Sequence, residues 1–224
     1  MKMRHELKHQ LNYGDAAVVR SRLGAILARD AHAGEGGRYR VRSLYFDTPD
    51  DRALREKLDS VDRREKFRVR RYPGGGALIM LEKKIKIRGL CAKFSAPLTE
   101  GECARIIGGD VSWMAYDDRP LLREFHYQTR CRLMTPKAVV EYLREPFVYA
   151  AGNVRVTFDT GLCASARPRD FGSESALLVP AGDGMVILEV KYDEYLPAFI
   201  EDILQVGSRR AAACSKYAIG RGYV

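Results

Sequence analysis

Polar and apolar residues alternate along much of the chain, which is the two-residue period of a β-strand. Between residues 77 and 87, for example, Glu82, Lys84 and Lys86 share one parity, and the other parity includes Ile79, Leu81, Ile85 and Ile87. The same alternation predicts eight strands, at residues 4–11, 38–46, 65–72, 77–87, 90–96, 137–143, 154–159 and 185–192. Because successive side chains of a strand point to opposite faces, we expect most of these strands to have one apolar and one charged face.

Helical patterns are fewer and shorter. Thr48 and Pro49 predict an N-cap and a first-turn proline for a helix that ends near residue 58. Thr99 and Glu102 have the spacing of a capping box, which predicts another short helix after them. Further helices are predicted at residues 15–28, 120–133, 197–206 and 215–217, and loops at residues 31–37, 73–76 and 167–184.

The charged strand faces are mostly basic, as the set Lys66, Arg68 and Arg70 illustrates. A solvated outer face explains any one such strand. An outer face commonly mixes both signs of charge, however, and rows of like charge repel one another unless an anion lies among them. The alternative is a closed antiparallel barrel with a polar interior, whose apolar exterior is covered by the helices.

The length and composition of the chain indicate the size of its domain and the class of its partner. The chain has 224 residues, 46% of them hydrophobic, which predicts a single domain, residues 1–224, with a substantial core. Lys and Arg number 38 against 29 Asp and Glu, so the formal net charge is +9. An excess of this size favours an anionic partner, such as nucleic acid, a phosphate compound or an acidic membrane surface.

The sequence also argues against several classes of protein. No apolar run is long enough to span a membrane. The first ten residues include several charged side chains and lack the apolar core of a signal peptide, so we expect a cytoplasmic protein. The five cysteines and four histidines are scattered without metal-site spacing, which predicts reduced, mostly packed thiols. No nucleic-acid-binding motif is found, and Trp113 lies outside the basic strands, so nucleic acid is not expected as a partner.

Seven segments occur in an order typical of one family. They are REKFRVRRY (64–72), LEKKIK (81–86), AKFSAPLT (92–99), YLREPF (142–147), VRVTFD (154–159), ILEVKYDEYLP (187–197) and CSKYA (214–218). The chain resembles the VTC domain, the polyphosphate polymerase domain of vacuolar transporter chaperone complexes, in its stand-alone bacterial form. That domain is one of the triphosphate tunnel metalloenzymes, which are related to the CYTH phosphatases. The resemblance implies an α+β fold in which an antiparallel β-barrel with flanking helices forms a polar tunnel.

The resemblance also implies roles for individual residues. The residues expected to act in catalysis are Lys8, Arg68, Arg70, Lys84, Arg144 and Arg155. The residues expected to bind substrate are Lys66, Lys86, Lys93, Tyr142, Lys191, Ser215 and Lys216. Glu189, with Glu6, is expected to hold Mn²⁺ or Mg²⁺, which prefer oxygen ligands. The alternative for Glu189 is a structural salt bridge to Lys191 or to an arginine on a neighbouring strand.

The chain departs from the family pattern at two places. Ala213 and Cys214 stand where the family often has a lysine before the serine of its last motif. The first strand reads Arg4-His5-Glu6-Leu7-Lys8, with arginine in place of the first glutamate of the ExExK motif of many hydrolytic tunnel enzymes. Arginine cannot accept a proton from water, but it can neutralise a second phosphate, so this departure favours a phosphate acceptor over water.

Three functions are compatible with these residues. The first is a metal-dependent polyphosphate polymerase, which transfers the γ-phosphate of ATP or another nucleoside triphosphate to a growing polyphosphate chain. The second is a triphosphatase that uses the same basic clamp with water as the acceptor. The third is a module that binds polyphosphate without turnover. The resemblance also leaves open a membrane-protein partner that would hold the protein at the inner face of a membrane, and the oligomeric state.

Overall fold

The alternating segments form one antiparallel sheet in the computed structural model, which describes residues 2–34, 36–72, 78–205 and 214–224. Its strands are β1 (His5–Leu11), β2 (Ala28–Arg29), β3 (Tyr39–Asp47), β4 (Arg64–Tyr72), β5 (Leu78–Ile87), β6 (Leu90–Leu98), β7 (Thr135–Tyr149), β8 (Val154–Ser165), β9 (Val179–Pro180) and β10 (Val186–Tyr192). Eight of them follow the order β1-β10-β8-β7-β3-β4-β5-β6, while β2 pairs with β7 and β9 pairs with β8. The long strands include all eight that the alternation predicted.

The sheet curls until its two edges meet. Arg4, just before β1, exchanges two backbone hydrogen bonds with Cys91 of β6, each 2.9 Å between nitrogen and oxygen. This is the one bridge between the two edges in the described ranges, so the barrel closes at that level alone. The charged faces of the strands line the interior, as expected for a barrel with a polar interior. The other explanation, a solvated outer face, is wrong.

Six helices in the described ranges pack against the curled sheet, and most of them cover its outside. They are α1 (Tyr13–Gly24), α2 (Arg52–Leu58), α3 (Glu100–Ile107), α4 (Pro120–Cys131), α5 (Ala198–Leu204) and α6 (Lys216–Tyr223). Phe125 of α4 packs against Phe46 and Phe67 on the outer face of β3 and β4. On the opposite side, Val19 and Leu23 of α1 are buried against the outer faces of β8 and β10. None of the helices in the described part is long and apolar enough to cross a membrane.

Helix α6 enters one end of the barrel instead of covering it. Tyr217 is buried there with Tyr45 and Val140 of the inner wall, and the Tyr217 and Tyr45 rings stack with centroids 5.1 Å apart. Gly220 lets the helix approach β7, because a Cβ at this position would lie 2.7 Å from Cγ2 of Val140. The helix therefore fills part of the interior with apolar side chains and leaves the remainder polar.

Several predicted boundaries need correction. Strands β7 and β8 run to Tyr149 and Ser165, beyond the predicted ends at 143 and 159. Their register shifts between Glu141 and Leu143, and this irregularity interrupts the alternation that marks a strand. The helix predicted at residues 215–217 is α6, whose eight residues extend to Tyr223.

Helix α2 also differs from its prediction at the first turn. It begins at Arg52 instead of Pro49, and its first free amides are capped from a distance by Asp47. The carboxylate of Asp47 accepts from the backbone N–H of Ala53 at 2.8 Å and of Leu54 at 3.0 Å. The capping box of Thr99 and Glu102 at α3 is confirmed, with both of its hydrogen bonds present. The predicted loop at 73–76 lies outside the described residues.

Candidate active site

All fifteen residues that the resemblance assigned to a site line three adjoining cavities of the barrel interior. A wide opening of about 710 Å³ lies at one end and includes Arg68, Arg70 and Arg155. The centre is a narrow space of about 30 Å³, lined by Lys8, Glu189 and other charged side chains. A second, narrow opening of about 100 Å³ lies beside α2 and α6. Strand parity explains most of this convergence, because the predicted strand residues occupy inward positions, while Ser215 and Lys216 reach the interior from the start of α6.

An acid cluster occupies the wall formed by β8 and β10. Arg144 binds both carboxylate oxygens of Asp159, with Nε–Oδ1 and Nη2–Oδ2 distances of 2.7 Å. Nζ of Lys216 lies 2.6 Å from Asp159 Oδ2 and 2.6 Å from Glu189 Oε1. Nζ of Lys8 is 3.1 Å from Glu189 Oε1. Burial raises the pKa of Glu189, but the ammonium groups of Lys216 and Lys8 outweigh burial and hold that pKa well below its ordinary value.

Glu6 on β1 extends this network across the tunnel. Its two oxygens accept from Nζ of Lys84 at 2.6 and 2.5 Å, and Nζ of Lys8 is 3.3 Å away. Lys8 therefore lies between Glu6 and Glu189 and holds both carboxylates toward one space. Burial raises the pKa of Glu6, while Lys8 and Lys84 lower it to a net value well below the ordinary one.

Glu6 and Glu189 fit a divalent metal ion. Carboxylate oxygens are the ligands that Mg²⁺ and Mn²⁺ prefer, and two acids leave coordination positions for phosphate. Thr157, the cross-strand neighbour of Glu189, has a buried hydroxyl with no hydrogen-bond partner, so an unused oxygen lies on the same wall. The described part holds no group of three or more His, Cys, Asp or Glu side chains placed to bind a metal. A metal here would be held by few protein ligands.

A third acid, Glu82 of β5, holds the arginine pair. Arg68 donates to Glu82 Oε2 from Nε at 2.8 Å, and Lys93 donates to Oε1 at 2.9 Å. Nε of Arg70 is 3.8 Å from Glu82. Burial raises the pKa of Glu82, whereas the positive charges of Arg68 and Arg70 lower it. The net pKa is far below its ordinary value.

Hydroxyl groups hold the arginines from their other sides. Arg70 donates to Ser43 Oγ at 3.1 Å, to Tyr142 Oη at 3.1 Å and to Tyr72 Oη at 3.3 Å. Arg68 donates to Tyr45 Oη at 3.2 Å. These neutral acceptors orient the guanidinium groups without neutralising them, so the positive charge stays available to an anion.

Arg155 and Arg4 lie at the wide opening. Arg155 pairs with Asp30 at 2.8 Å and donates to Tyr39 Oη at 3.1 Å. Arg4 lines the same cavity, but its Nε lies 2.9 Å from Asp193 and its Nη2 donates to the carbonyl of Asn153 at 2.5 Å. The guanidinium group of Arg4 is therefore engaged at the rim instead of facing the acid cluster.

At the narrow opening, in contrast to the acid cluster, several lysines have no acidic partner in the described ranges. Nζ of Lys66 is 3.4 Å from Ser215 Oγ, and among the described residues it forms no ion pair. Lys57 and Lys86 line the same opening, and they too lack an acidic partner in the described ranges. Burial lowers the pKa of Lys66 well below its ordinary value, and the nearby ammonium groups of Lys84 and Lys8 lower it further.

Three inward residues of the site were not identified from the sequence. The sequence assigns no role to Glu82, Asp159 or Tyr45. Their signal is strand parity, because Glu82 shares a face with Lys84, and Asp159 shares one with Arg155. The distances between strands decide their partners, and no local pattern contains those distances.

A sequence model of the VTC domain family matches residues 3–224. The chain belongs to the VTC domain family. The family resemblance in the sequence is therefore confirmed over nearly the whole chain. No curated protein sequence matches it.

Solved structures share the fold of this VTC domain at low identity. A candidate adenylyl cyclase from Hippeastrum, described as having a dominant triphosphatase activity, is 12% identical with a TM-score of 0.58, over 99% of this chain and 96% of that one. A candidate adenylate cyclase from Bacillus halodurans is 14% identical with a TM-score of 0.54, over 91% of this chain and 87% of that one. At such identities the likeness shows the fold alone, and it confirms the α+β tunnel architecture.

Proposed function

We propose that this VTC domain is a metal-dependent polyphosphate polymerase, which transfers the γ-phosphate of ATP or a similar nucleoside triphosphate to a polyphosphate chain in the tunnel. The observation that carries the proposal is the second opening. Lysines without acidic partners in the described part continue past the acid cluster to that opening, at Lys66, Lys86 and Lys57. Hydrolysis of a triphosphate needs no such path, whereas a growing chain needs cations along its length.

The donor triphosphate would bind from the wide opening. Arg68, Arg70 and Arg144 are held in fixed positions, and a guanidinium group can bind two phosphate oxygens at once. A metal ion held by Glu6 and Glu189 would offset charge on the phosphate oxygens as the bond to the leaving group breaks. The protein groups themselves orient the triphosphate and hold water away from it.

The acceptor end of the chain would lie on the side of the narrow opening. Lys66 and Lys84 face the centre from there, and Ser215 is within 3.4 Å of Lys66 Nζ. Lys84 is paired with Glu6, so an acceptor phosphate would compete with that carboxylate, whereas Lys66 is free of such competition. The acceptor is already an anion, so it needs neutralisation and alignment instead of deprotonation.

Triphosphatase activity is the second candidate. It is favoured by Glu6, an acid of the first strand that lies in the tunnel and could orient an attacking water through a hydrogen bond. The Hippeastrum protein of the same fold is described as having a dominant triphosphatase activity. A module that binds polyphosphate without turnover would use the same cations and would make no use of the buried acids.

Product analysis separates the three functions. The purified protein would be incubated with ATP and Mn²⁺ or Mg²⁺, and the products resolved by size together with assays of ADP and free phosphate. A polymerase releases ADP and forms acid-labile chains, with little free phosphate. Free phosphate without chains would establish the triphosphatase, and binding of polyphosphate without either product would establish the module.

A further inference from the structure

The wide opening has walls that a phosphate chain does not need. Its volume of about 710 Å³ contrasts with about 30 Å³ at the centre, and its lining includes Tyr39, Tyr72 and Leu78 beside the arginines. These three residues, here called the aromatic rim, lie on the neighbouring strands β3, β4 and β5. Tyr72 and Leu78 are direct cross-strand partners. An apolar wall next to a phosphate clamp suits a ligand that has both a flat apolar part and a phosphate chain.

The two tyrosine rings are held by the tunnel arginines. The hydroxyl of Tyr72 accepts from Arg70, and the hydroxyl of Tyr39 accepts from Arg155, at 3.3 and 3.1 Å. The ring centroids lie 6.3 Å apart, and the planes are tilted by 52°. Both side chains are half-buried, and Leu78 is 54% exposed. The rings are thus fixed at their hydroxyl ends while part of each faces the cavity, so little side-chain entropy is lost when a flat group stacks on them.

We propose that the aromatic rim binds the base of a nucleoside triphosphate by stacking and so selects nucleotides over inorganic tripolyphosphate. This inference rests on the proposed use of a triphosphate donor and deepens it by naming the part of the donor that is recognised. Arg70 links the two functions of the opening, because it touches the rim through Tyr72 and lies in the phosphate clamp. The triphosphate then points toward Glu189, with its γ-phosphate deepest in the tunnel.

The narrow opening is a poor place for a base. Its volume is about 100 Å³, and its walls carry Lys57, Lys66 and Lys86. Among the described residues, the tyrosine that lines this opening is Tyr217, and its ring is buried against Tyr45 at the apolar end of the barrel, so neither ring offers a free face to a base. The orientation with the base at the wide opening is therefore the one that the shape and the chemistry of both ends favour.

The test compares two ligands that share a triphosphate and differ by the nucleoside, which carries the base that the rim would bind. Dissociation constants for ATP and for inorganic tripolyphosphate would be measured by calorimetry without a divalent metal, so that no turnover occurs. Tyr72→Leu removes the ring, and Tyr72→Phe keeps the ring but removes the hydroxyl that Arg70 contacts. Tyr116→Leu, at a tyrosine that is 96% exposed and does not line the cavity, is the matched control. Melting temperatures of all variants establish that each one is folded.

Tyr72→Leu is expected to weaken ATP binding about tenfold relative to Tyr72→Phe, which is within the range for loss of one base–aromatic stack. Tripolyphosphate binding is expected to be equal in these two variants. Tyr116→Leu is expected to bind both ligands as the parent protein does. Equal weakening of ATP and tripolyphosphate by Tyr72→Leu would overturn the inference and leave Tyr72 as a support for Arg70. Unchanged ATP binding in Tyr72→Leu would overturn it as well.

The outcome is independent of which reaction the protein catalyses. If the loss is specific to ATP but no chains form in the product assay, the base site stands and the polymerase proposal fails. If chains form from ATP and Tyr72→Leu has an unchanged KM for ATP, the polymerase proposal stands and the base site fails.

Discussion

The acid cluster and the narrow opening differ in whether their lysines have acidic partners. In the acid cluster, Lys8 and Lys216 each lie within 3.3 Å of two carboxylates. At the narrow opening, Lys66 is half-buried with only a serine hydroxyl as a hydrogen-bond partner in the described ranges. A ligand must compete with carboxylates for the first group, but not for the second. The folded protein therefore tolerates destabilising charge at the narrow opening, and an anion relieves it there.

The largest effect is expected where paired arginines are removed. The double variant Arg68→Ala/Arg70→Ala should abolish turnover and lower the free energy of unfolding by about 3–5 kcal/mol, because Glu82 would keep Lys93 as its one close cation. Thermal unfolding and ATP turnover measure both effects.

Glu82→Gln added to that double variant is the matched test. It should restore most of the lost stability but no turnover, because the clamp is still missing. Recovery of turnover in the triple variant would contradict the role of the two arginines. Arg71→Ala, on the outer face of β4 with Glu100 as its partner, is the control for loss of an arginine from the same strand.

The next largest effect is expected from Glu189→Gln, which removes the central charge of the acid cluster and preserves its shape. Activity should fall on the order of a hundredfold, and saturation should need much higher Mn²⁺ or Mg²⁺ concentrations. Rates measured across a metal titration test this. Glu141→Gln, on the outward side of β7, is the control. An unchanged metal dependence would make Glu189 a structural partner of Lys216 and Arg144.

Lys8→Met and Lys66→Met compare the two regions directly. Lys8→Met should lower stability by about 3 kcal/mol, because Glu6 and Glu189 lose a shared partner. Lys66→Met should raise stability by about 1 kcal/mol, because a half-buried ammonium without an acidic partner in the described part is removed. Both variants should bind tripolyphosphate about tenfold more weakly. A loss of stability in both would show that the two regions do not differ in charge balance.

The stabilising effect of Lys66→Met should depend on pH. Because the folded-state pKa of Lys66 is below the ordinary value of 10.5, the unfolded chain binds more protons in the window between these values. The charged lysine destabilises the fold fully below its folded-state pKa, and the penalty disappears as the pH approaches 10.5. The difference in melting temperature between variant and parent should therefore shrink as the pH rises toward 10.5. A constant difference would contradict burial of a charged Lys66.

The smallest effect is expected from Arg4→Glu. The sequence departure at this position suggested that arginine favours a phosphate acceptor over water. Since its guanidinium group is bound at the rim by Asp193 and by the carbonyl of Asn153, we now expect the ratio of chain formation to hydrolysis to change less than about twofold. Measurement of both product channels tests this, and a large shift toward free phosphate would show that Arg4 reaches the substrate.

Much of the inner surface followed from strand parity in the sequence. Side chains two residues apart share a face, so Lys66, Arg68 and Arg70 had to line one side of β4 wherever that strand lay. The family motifs then identified that side as the inner wall of a tunnel. The sequence can predict which side chains share a face because this alternation depends only on the backbone geometry of a single strand.

The tertiary structure decided which charges meet. Arg4 and Cys91 bring the sheet edges together across 87 positions of the chain (91 minus 4), and Lys216 reaches Glu189 from a separate helix. Nothing in the local pattern distinguishes Lys8, which is paired with two acids, from Lys66, which has none in the described part. Strand parity and the family motifs together predict which strand side chains face the tunnel. Only the folded chain determined their charge balance, because Coulomb interactions and burial depend on distances between strands that are remote in sequence.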